Sequence, residues 1–194
     1  MNMTGQKRTM RRESQQILNA IPSSLQERQS TVTSHKVIAY IEKERSETKV
    51  LLSFCSMPGE IDTLSIMKWA HINGIRIALP RIDDYSSAMQ FHYIQFTNYP
   101  QTLERHKYGF YQPSANPMTL FHPTTKREDT VMLVPGIAFD ITCHRLGRGR
   151  GYYDTYLDQY HTNLTAIGIC FYQQLVAAVP CEPHDRLVDI VISG

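Results

Sequence analysis

A chain of 194 residues, 42% hydrophobic and 20% charged, has the composition of a water-soluble globular protein, and one domain of this length buries roughly 70% of its unfolded surface without a disulfide or metal staple. Its formal net charge of +2 is too small to imply a nucleic acid or a membrane as partner. No run approaches 18 apolar residues, and ILNAIPSSL is too short and too polar for a signal peptide, so a cytoplasmic protein is expected.

Residues 4 to about 44 lack β-branched runs and are rich in Gln, Glu, Arg, Ser and Lys, which predicts two helices. Pro22 separates them, and IPSS is expected to cap the second. Residues 48–54 (TKVLLSF) predict a short buried strand closed by the turn-like MPGE. IDTLSIMKWAHING shows helical spacing at Ile61, Leu64, Met67 and Trp69 or Ala70, and stops at Asn73-Gly74. IRIALP predicts the next strand, ended by Pro80, and AMQFHYI alternates as a half-exposed strand should. Prolines and polar residues from 97 to 128 predict a long, mostly irregular excursion. TVMLVP is a buried strand, YYDTYLDQYH a helix, and LTAIGICF and LVDIVIS the last two strands. This alternation indicates an α/β class, with layered helices around a mainly parallel sheet in a single domain over residues 1–194. Ligands of such sheets bind at the carboxyl ends of the strands, where Glu60, Pro135-Gly136 and the segment after Phe171 fall.

The densest chemistry lies in RLGRGRGYYD, residues 145–154. Glycines at 147, 149 and 151 let the backbone turn sharply and present N–H groups to an anion, and a helix from Tyr152 aims its positive end at the same place. Arg145, Arg148 and Arg150 add forked donors that match phosphate or carboxylate oxygens. The competing reading is a glycine-rich surface turn with solvated arginines. No Walker A string is present, and the GxGxG spacing is not that of a dinucleotide loop.

Asp154 either interacts with the helix dipole or, beside a polyphosphate, helps hold Mg2+; Asp185 and Asp189 are turn residues or further metal candidates. Lys7 and Arg11 stand four apart on one helical face, and spacing alone favours a solvated face there. Glu60 either caps the following helix or binds ligand N–H groups. Tyr152, Tyr153, Phe54 and Trp69 are either core or the walls of a flat-ring pocket. Cys55, Cys143, Cys170 and Cys181 form no CxxC pair and no zinc-like spacing, and read as reduced thiols, with Cys170 in the core.

LVPGIAFD followed by RLGRGRGYYDTYL resembles the signature of the 5-formyltetrahydrofolate cyclo-ligase family, also called methenyltetrahydrofolate synthetases. KRTMR is similar to the family's basic nucleotide-binding helix, FCSMPGEIDT to its folate-contacting turn, IALPRI to the strand after it, and VPCEPHD to its P-x-E-x-x-D segment. These matches are collinear from residue 7 to about 190. Two positions depart from the family form: Cys55 stands where a larger apolar residue is usual, and in YGFYQPS Gln112 stands where an acidic residue often precedes the proline.

The resemblance implies a fold related to the NagB/RpiA/CoA-transferase group and an ATP- and Mg2+-dependent enzyme that converts 5-formyltetrahydrofolate to 5,10-methenyltetrahydrofolate, releasing ADP and phosphate. It places nucleotide binding at Lys7, Arg8, Arg11, Arg145, Gly147, Arg148, Gly149, Arg150, Gly151, Tyr152 and Tyr153. Folate contact falls to Cys55, Glu60 and the run Arg148, Gly149, Arg150, Gly151, Tyr152, and metal binding to Asp154 and Asp185. Arg145, Arg148 and Tyr152 would be the catalytic groups, in an enzyme acting as a monomer on a small molecule. A phosphate- or RNA-binding module of the same fold, or another ATP-dependent reaction on a pterin or formyl compound, are the alternatives.

Overall fold

A computed structural model describes residues 3–83, 86, 88–107 and 109–194. Two helices, α1 (Met3–Ala20) and α2 (Ser23–Glu44), open the chain on either side of Pro22. The IPSS segment caps α2 through its proline and not through a side chain: Ser23 and Ser24 lie inside α2. Pro22 itself is the N-cap, and its carbonyl accepts from the Leu25 and Gln26 N–H groups at 3.0 Å each, so the first turn closes without a serine hydroxyl.

Then follow β1 (Val50–Leu52), α3 (Leu64–Ile72), β2 (Arg76–Ile82) and β3 (Met89–Tyr93). A two-stranded hairpin of β4 (Leu103–Arg105) and β5 (Tyr111–Pro113) interrupts the otherwise irregular 97–128 excursion. The chain ends with β6 (Thr130–Val134), the small hairpin β7 (Ala138–Phe139) and β8 (Arg145–Leu146), α4 (Tyr152–Tyr160), β9 (Thr165–Cys170) and β10 (Ile190–Ser193). The main sheet has the order β10-β9-β6-β1-β2-β3 and is parallel throughout except for the β2–β3 pair.

Both faces of this sheet are covered, which is why its central strands are near-continuous apolar runs rather than alternating ones. Leu51, Leu79, Leu133 and Ile167 share one core with Leu18 of α1, Val37 and Ile41 of α2, and Ile66 and Met67 of α3. The alternate residues Leu52, Ala78, Met132 and Val134 pack with Tyr156 and Leu157 of α4 and with Phe121 of the excursion. Asn73-Gly74 stops α3 as its sequence implies, Gly74 taking φ +72°. Among the described residues, no helix is long and apolar enough to cross a membrane.

Two strand readings change. Pro80 does not end β2, which runs on to Ile82. Pro80 faces Phe91 in the antiparallel pair, and the Phe91 carbonyl accepts from the Phe121 N–H on the far side of β3. Pro80 and Phe91 are therefore a non-hydrogen-bonded pair, and the donor that proline lacks would point toward β1, which has already ended at Leu52 opposite Ala78. Nor is β3 half-exposed as expected: His92 is buried because Thr119 and Leu120 of the excursion close over it, with its Nδ1 3.1 Å from Thr119 Oγ1.

Candidate active site

A cavity of about 420 Å3 opens at the carboxyl ends of the central strands. Phe54 and Cys55 follow β1, Pro80 and Ile82 belong to β2, and Pro135-Gly136 follow β6. Phe110 and Tyr111 from the β4–β5 hairpin complete the apolar wall, while Glu60 and the loop from Arg145 to Asp154 supply the charged one.

Arg145 and Asp154 bracket the glycine loop and hold each other. The Arg145 guanidinium donates to Asp154 Oδ1 at 2.8 Å, with the arginine side chain 3% exposed and the aspartate 18%. The register β7–β8 places Arg145 opposite Phe139, and Asp140 fixes the connecting turn by accepting from the Thr142, His144 and Val179 N–H groups. Arg145 Nε is buried without a hydrogen-bond partner among the described residues. Gly147 has no side chain because one would strike Arg145: a β-carbon there would lie 2.6 Å from Nη1. Gly151, at φ +72°, turns the chain into α4, and its carbonyl accepts from the Thr155 N–H. The N–H groups of Gly149 and Gly151 have no hydrogen-bond partner among the described residues, as an anion cradle requires.

The face of Lys7 and Arg11 is not a solvated one, contrary to what spacing alone favours. Lys7 is buried, with Nζ 2.7 Å from Glu182 Oε2 and 2.5 Å from Asp185 Oδ2. Arg11 Nε donates to the Gly147 carbonyl at 2.8 Å, and its guanidinium lies over Gly149. One helix face therefore ties the N-terminus to both the loop and the VPCEPHD segment. Burial works against the charge of Lys7, but the bonds to Asp185 and Glu182 outweigh it and hold its pKa above the ordinary lysine value. Burial likewise works against the charge of Asp185, while Lys7 and the Glu182 N–H pull its pKa below the ordinary carboxylate value.

Glu60 lines the cavity with its side chain 9% exposed. Its Oε1 accepts from Arg148 Nη2 at 3.0 Å and Nε at 3.2 Å, and its Oε2 from the Met57 N–H at 3.0 Å. It does not cap α3; Asp62 accepts from the Leu64 N–H instead. Burial raises the Glu60 pKa, opposed by the Met57 N–H and by Arg148. Burial also pushes the Cys55 thiol up to about 11, so it stays protonated at neutral pH. Tyr152, Tyr153 and Arg150 line the cavity too, and burial holds the Tyr153 hydroxyl protonated.

Several sequence candidates fall elsewhere. Trp69 is outside the cavity and donates from its indole to Glu42 on α2, because α3 turns that edge toward the neighbouring helix. Arg8 is exposed and does not line the cavity. Asp189 is a strand anchor that accepts from the Ala166 N–H at 2.7 Å and pairs with Arg127. Tyr108 of YGFYQPS lies outside the described residues. Sequence reasoning passed over Glu182, Ile82, Phe110 and Tyr111. Glu182 stood within a quoted motif, whereas Phe110 and Tyr111 had no periodic signal to distinguish them from loop.

Among the described residues no three His, Cys, Asp or Glu side chains gather as a metal site. Mg2+ bound with a polyphosphate needs only one or two carboxylates, the remaining ligands being phosphate oxygens and water. Asp154 Oδ1 accepts from the Arg186 N–H at 3.4 Å, which brings it beside the residue that follows Asp185, and Asp154 Oδ2 has no hydrogen-bond partner among the described residues. Asp154 and Asp185 are each a carboxylate of the kind such an ion takes, and each is paired with a cation here, Asp154 with Arg145 and Asp185 with Lys7.

Known proteins share this arrangement of sequence and fold. A mouse protein described as 5-formyltetrahydrofolate cyclo-ligase is 31% identical over 190 residues, 96% of this chain and 92% of its own. A Saccharomyces cerevisiae protein of the same description is 27% identical, covering 97% of this chain and 95% of its own. The solution structure of Aquifex aeolicus 5,10-methenyltetrahydrofolate synthetase superposes with a TM-score of 0.73 at 22% identity, over 96% of this chain and 88% of that one, and so shares the fold. With a model described as the 5-formyltetrahydrofolate cyclo-ligase family matching residues 3–194, and the mouse relative alike over almost its whole length, the chain belongs to that family of cyclo-ligases.

Proposed function

We propose that this protein closes 5-formyltetrahydrofolate to 5,10-methenyltetrahydrofolate at the expense of ATP, with Mg2+ held at Asp154 and Asp185. The observation that carries this reading is the single cavity in which Arg145, Asp154 and the glycine loop meet an apolar wall and the buried Glu60. One part suits a polyphosphate, and the other a flat heterocycle bearing N–H groups for Glu60 to accept.

The chemistry asks for both. A formamide oxygen is a poor leaving group, so the γ-phosphoryl group passes from ATP to that oxygen and gives an iminium phosphate. N10 then forms the new C–N bond, the C–O bond breaks with phosphate leaving, and N10 loses its proton. Phosphoryl transfer demands positioning and charge neutralisation from the protein more than covalent help. Arg145 and Arg148 would neutralise the moving group, the Gly149 and Gly151 N–H groups would cradle phosphate oxygens, and Lys7 and Arg11 would hold the nucleotide from α1. Bound Mg2+ would add positive charge along the phosphates. Glu60 would orient the pterin, with Tyr152 packing on the folate.

The test is direct: purified protein, ATP, Mg2+ and 5-formyltetrahydrofolate should yield the methenyl product, followed by its ultraviolet absorbance, with one ADP per turnover. No product, or product without ATP consumption, overturns the proposal. Turnover of another pterin or formyl compound in place of this substrate would shift the reading to that compound.

A further inference from the structure

Gln112 is a buried amide in a hairpin whose other residues are largely exposed: it is 2% exposed, while Glu104, Arg105 and Tyr111 all face water. Such burial is tolerated only when the amide is hydrogen-bonded, and here both ends are. Its Oε1 accepts from the Ile82 N–H at 3.1 Å, a bond into the end of β2 itself. Its Nε2 reaches Glu104 Oε1 at 3.4 Å, the same oxygen that pairs with Arg81. Arg81, whose side chain is 10% exposed, also donates to the Pro113 carbonyl at 2.8 Å. The bond to Arg81 holds the Glu104 pKa below the ordinary carboxylate range. Three side chains thus weld the hairpin to β2 across the sequence gap from 81 to 112.

The weld sits at the cavity. Ile82 lines it on one side of the joint, and Phe110 and Tyr111 line it immediately before Gln112. Phe110 is backed by the buried His106, their rings stacked with centroids 4.5 Å apart. The aromatic wall is consequently held from behind by the His106 stack and from its carboxyl side by the Gln112 amide. We propose that Gln112, acting with Arg81 and Glu104, is a positioning residue that sets the aromatic wall against which the flat ring of the substrate lies. The claim rests on the functional reading above for the identity of that ring. Among the described residues the Gln112 side chain hydrogen-bonds to Ile82 and Glu104 and not to α1 or the glycine loop, so its effect should fall on the folate half of the site.

The test is a steady-state comparison of variants with both substrates varied. Gln112→Leu keeps the bulk but leaves the Ile82 N–H without its acceptor; the Michaelis constant for 5-formyltetrahydrofolate should rise roughly tenfold, with the ATP constant and the saturating rate within about twofold of wild type. Gln112→Glu alone keeps the acceptor but sets two carboxylates side by side, and should raise the folate constant severalfold. Adding Glu104→Gln to it restores one amide and one carboxylate around Arg81, and should return the folate constant to within about twofold of wild type. This rescue separates positioning from general loosening, and it stands even where Gln112→Leu does not fold. An unchanged folate constant in Gln112→Leu, equal loss on both substrates, or failure of the swap to rescue overturns the proposal. A wild-type chain inactive toward 5-formyltetrahydrofolate sinks the functional reading and this proposal with it, whereas an active wild type with unsplit variants sinks the proposal alone.

Discussion

Replacing Lys7 by methionine removes the cation from between Glu182 and Asp185 while keeping the length and apolar stem of the side chain. The lysine side chain is 7% exposed, and its Nζ lies within 2.7 Å of both carboxylates. Breaking a fully buried pair from one side costs about 3–5 kcal/mol, because a charge is left without its partner. Glu182 is 30% exposed and Asp185 17%, so water recovers part of that loss, and about 2–3 kcal/mol is expected. For a chain of this size that corresponds to a fall in Tm of roughly 5–10 °C.

The pH window follows from the shifts. The raised Lys7 pKa contributes stability that is complete below the unfolded value of about 10.4 and is lost as pH rises through the folded one. The depressed Asp185 pKa contributes stability present above about 3.9 and lost as pH falls through the folded value. The gap between wild type and Lys7→Met should therefore be flat from about pH 5 to 9 and shrink at both ends. Thermal unfolding followed by circular dichroism across that range measures it. A cycle with Asp185→Asn should give a coupling of at least about 1 kcal/mol. The same variant should raise the ATP requirement far more than the folate requirement. A Tm change below about 2 °C, or additive single mutants, would refute the argument that this contact holds α1 in place.

Gly147→Ala brings a methyl group to 2.6 Å from Arg145 Nη1, so the guanidinium must move relative to Asp154; kcat should fall roughly tenfold or more with the folate affinity retained, read from steady-state kinetics and equilibrium binding. Asp154→Asn should likewise cut turnover by at least about tenfold while leaving folate binding intact, and equal loss of both would make Asp154 a structural cap. Glu60→Gln keeps an acceptor for the Met57 N–H but removes a buried charge. Because the folded pKa of Glu60 is raised, wild type loses stability as pH climbs from the ordinary glutamate value of about 4.3 up to the folded one, so the variant's Tm relative to wild type should rise over that interval and then level off, even as folate affinity drops.

The order of strands and helices was readable because the central strands, buried on both faces, announce themselves as unbroken apolar runs, and because Asn73-Gly74 and Pro22 punctuate as their backbones require. Pro80 misled because a proline is compatible with a strand wherever the neighbour on its donor side has ended, and that depends on β1, thirty residues away. The glycine loop was legible as a charged, flexible cluster. The α1 face was not, since Lys7 and Arg11 meet their partners 175 and 136 residues later, beyond any local pattern. Gln112 was visible only as a departure from a family form. Its work is to bond a backbone N–H thirty positions back, and no spacing rule connects those two.

The two clamps share a logic that bears on how the site stays folded without ligand. Two of the cations that the proposed reading assigns to phosphate already hold a carboxylate that the same reading assigns to metal: Arg145 with Asp154, and Lys7 with Asp185. Neither charge is left bare in a site this buried, where an isolated one would be expensive. Under the proposed reading, a bound nucleotide would draw Arg145 and Lys7 toward phosphate oxygens and free Asp154 and Asp185 for the metal. Arg145 and Asp154 balance one to one, whereas Lys7 stands between two carboxylates, Glu182 and Asp185. α1 must then be docked before the exchange can occur, which ties the nucleotide half of the site to the contact that Lys7→Met removes.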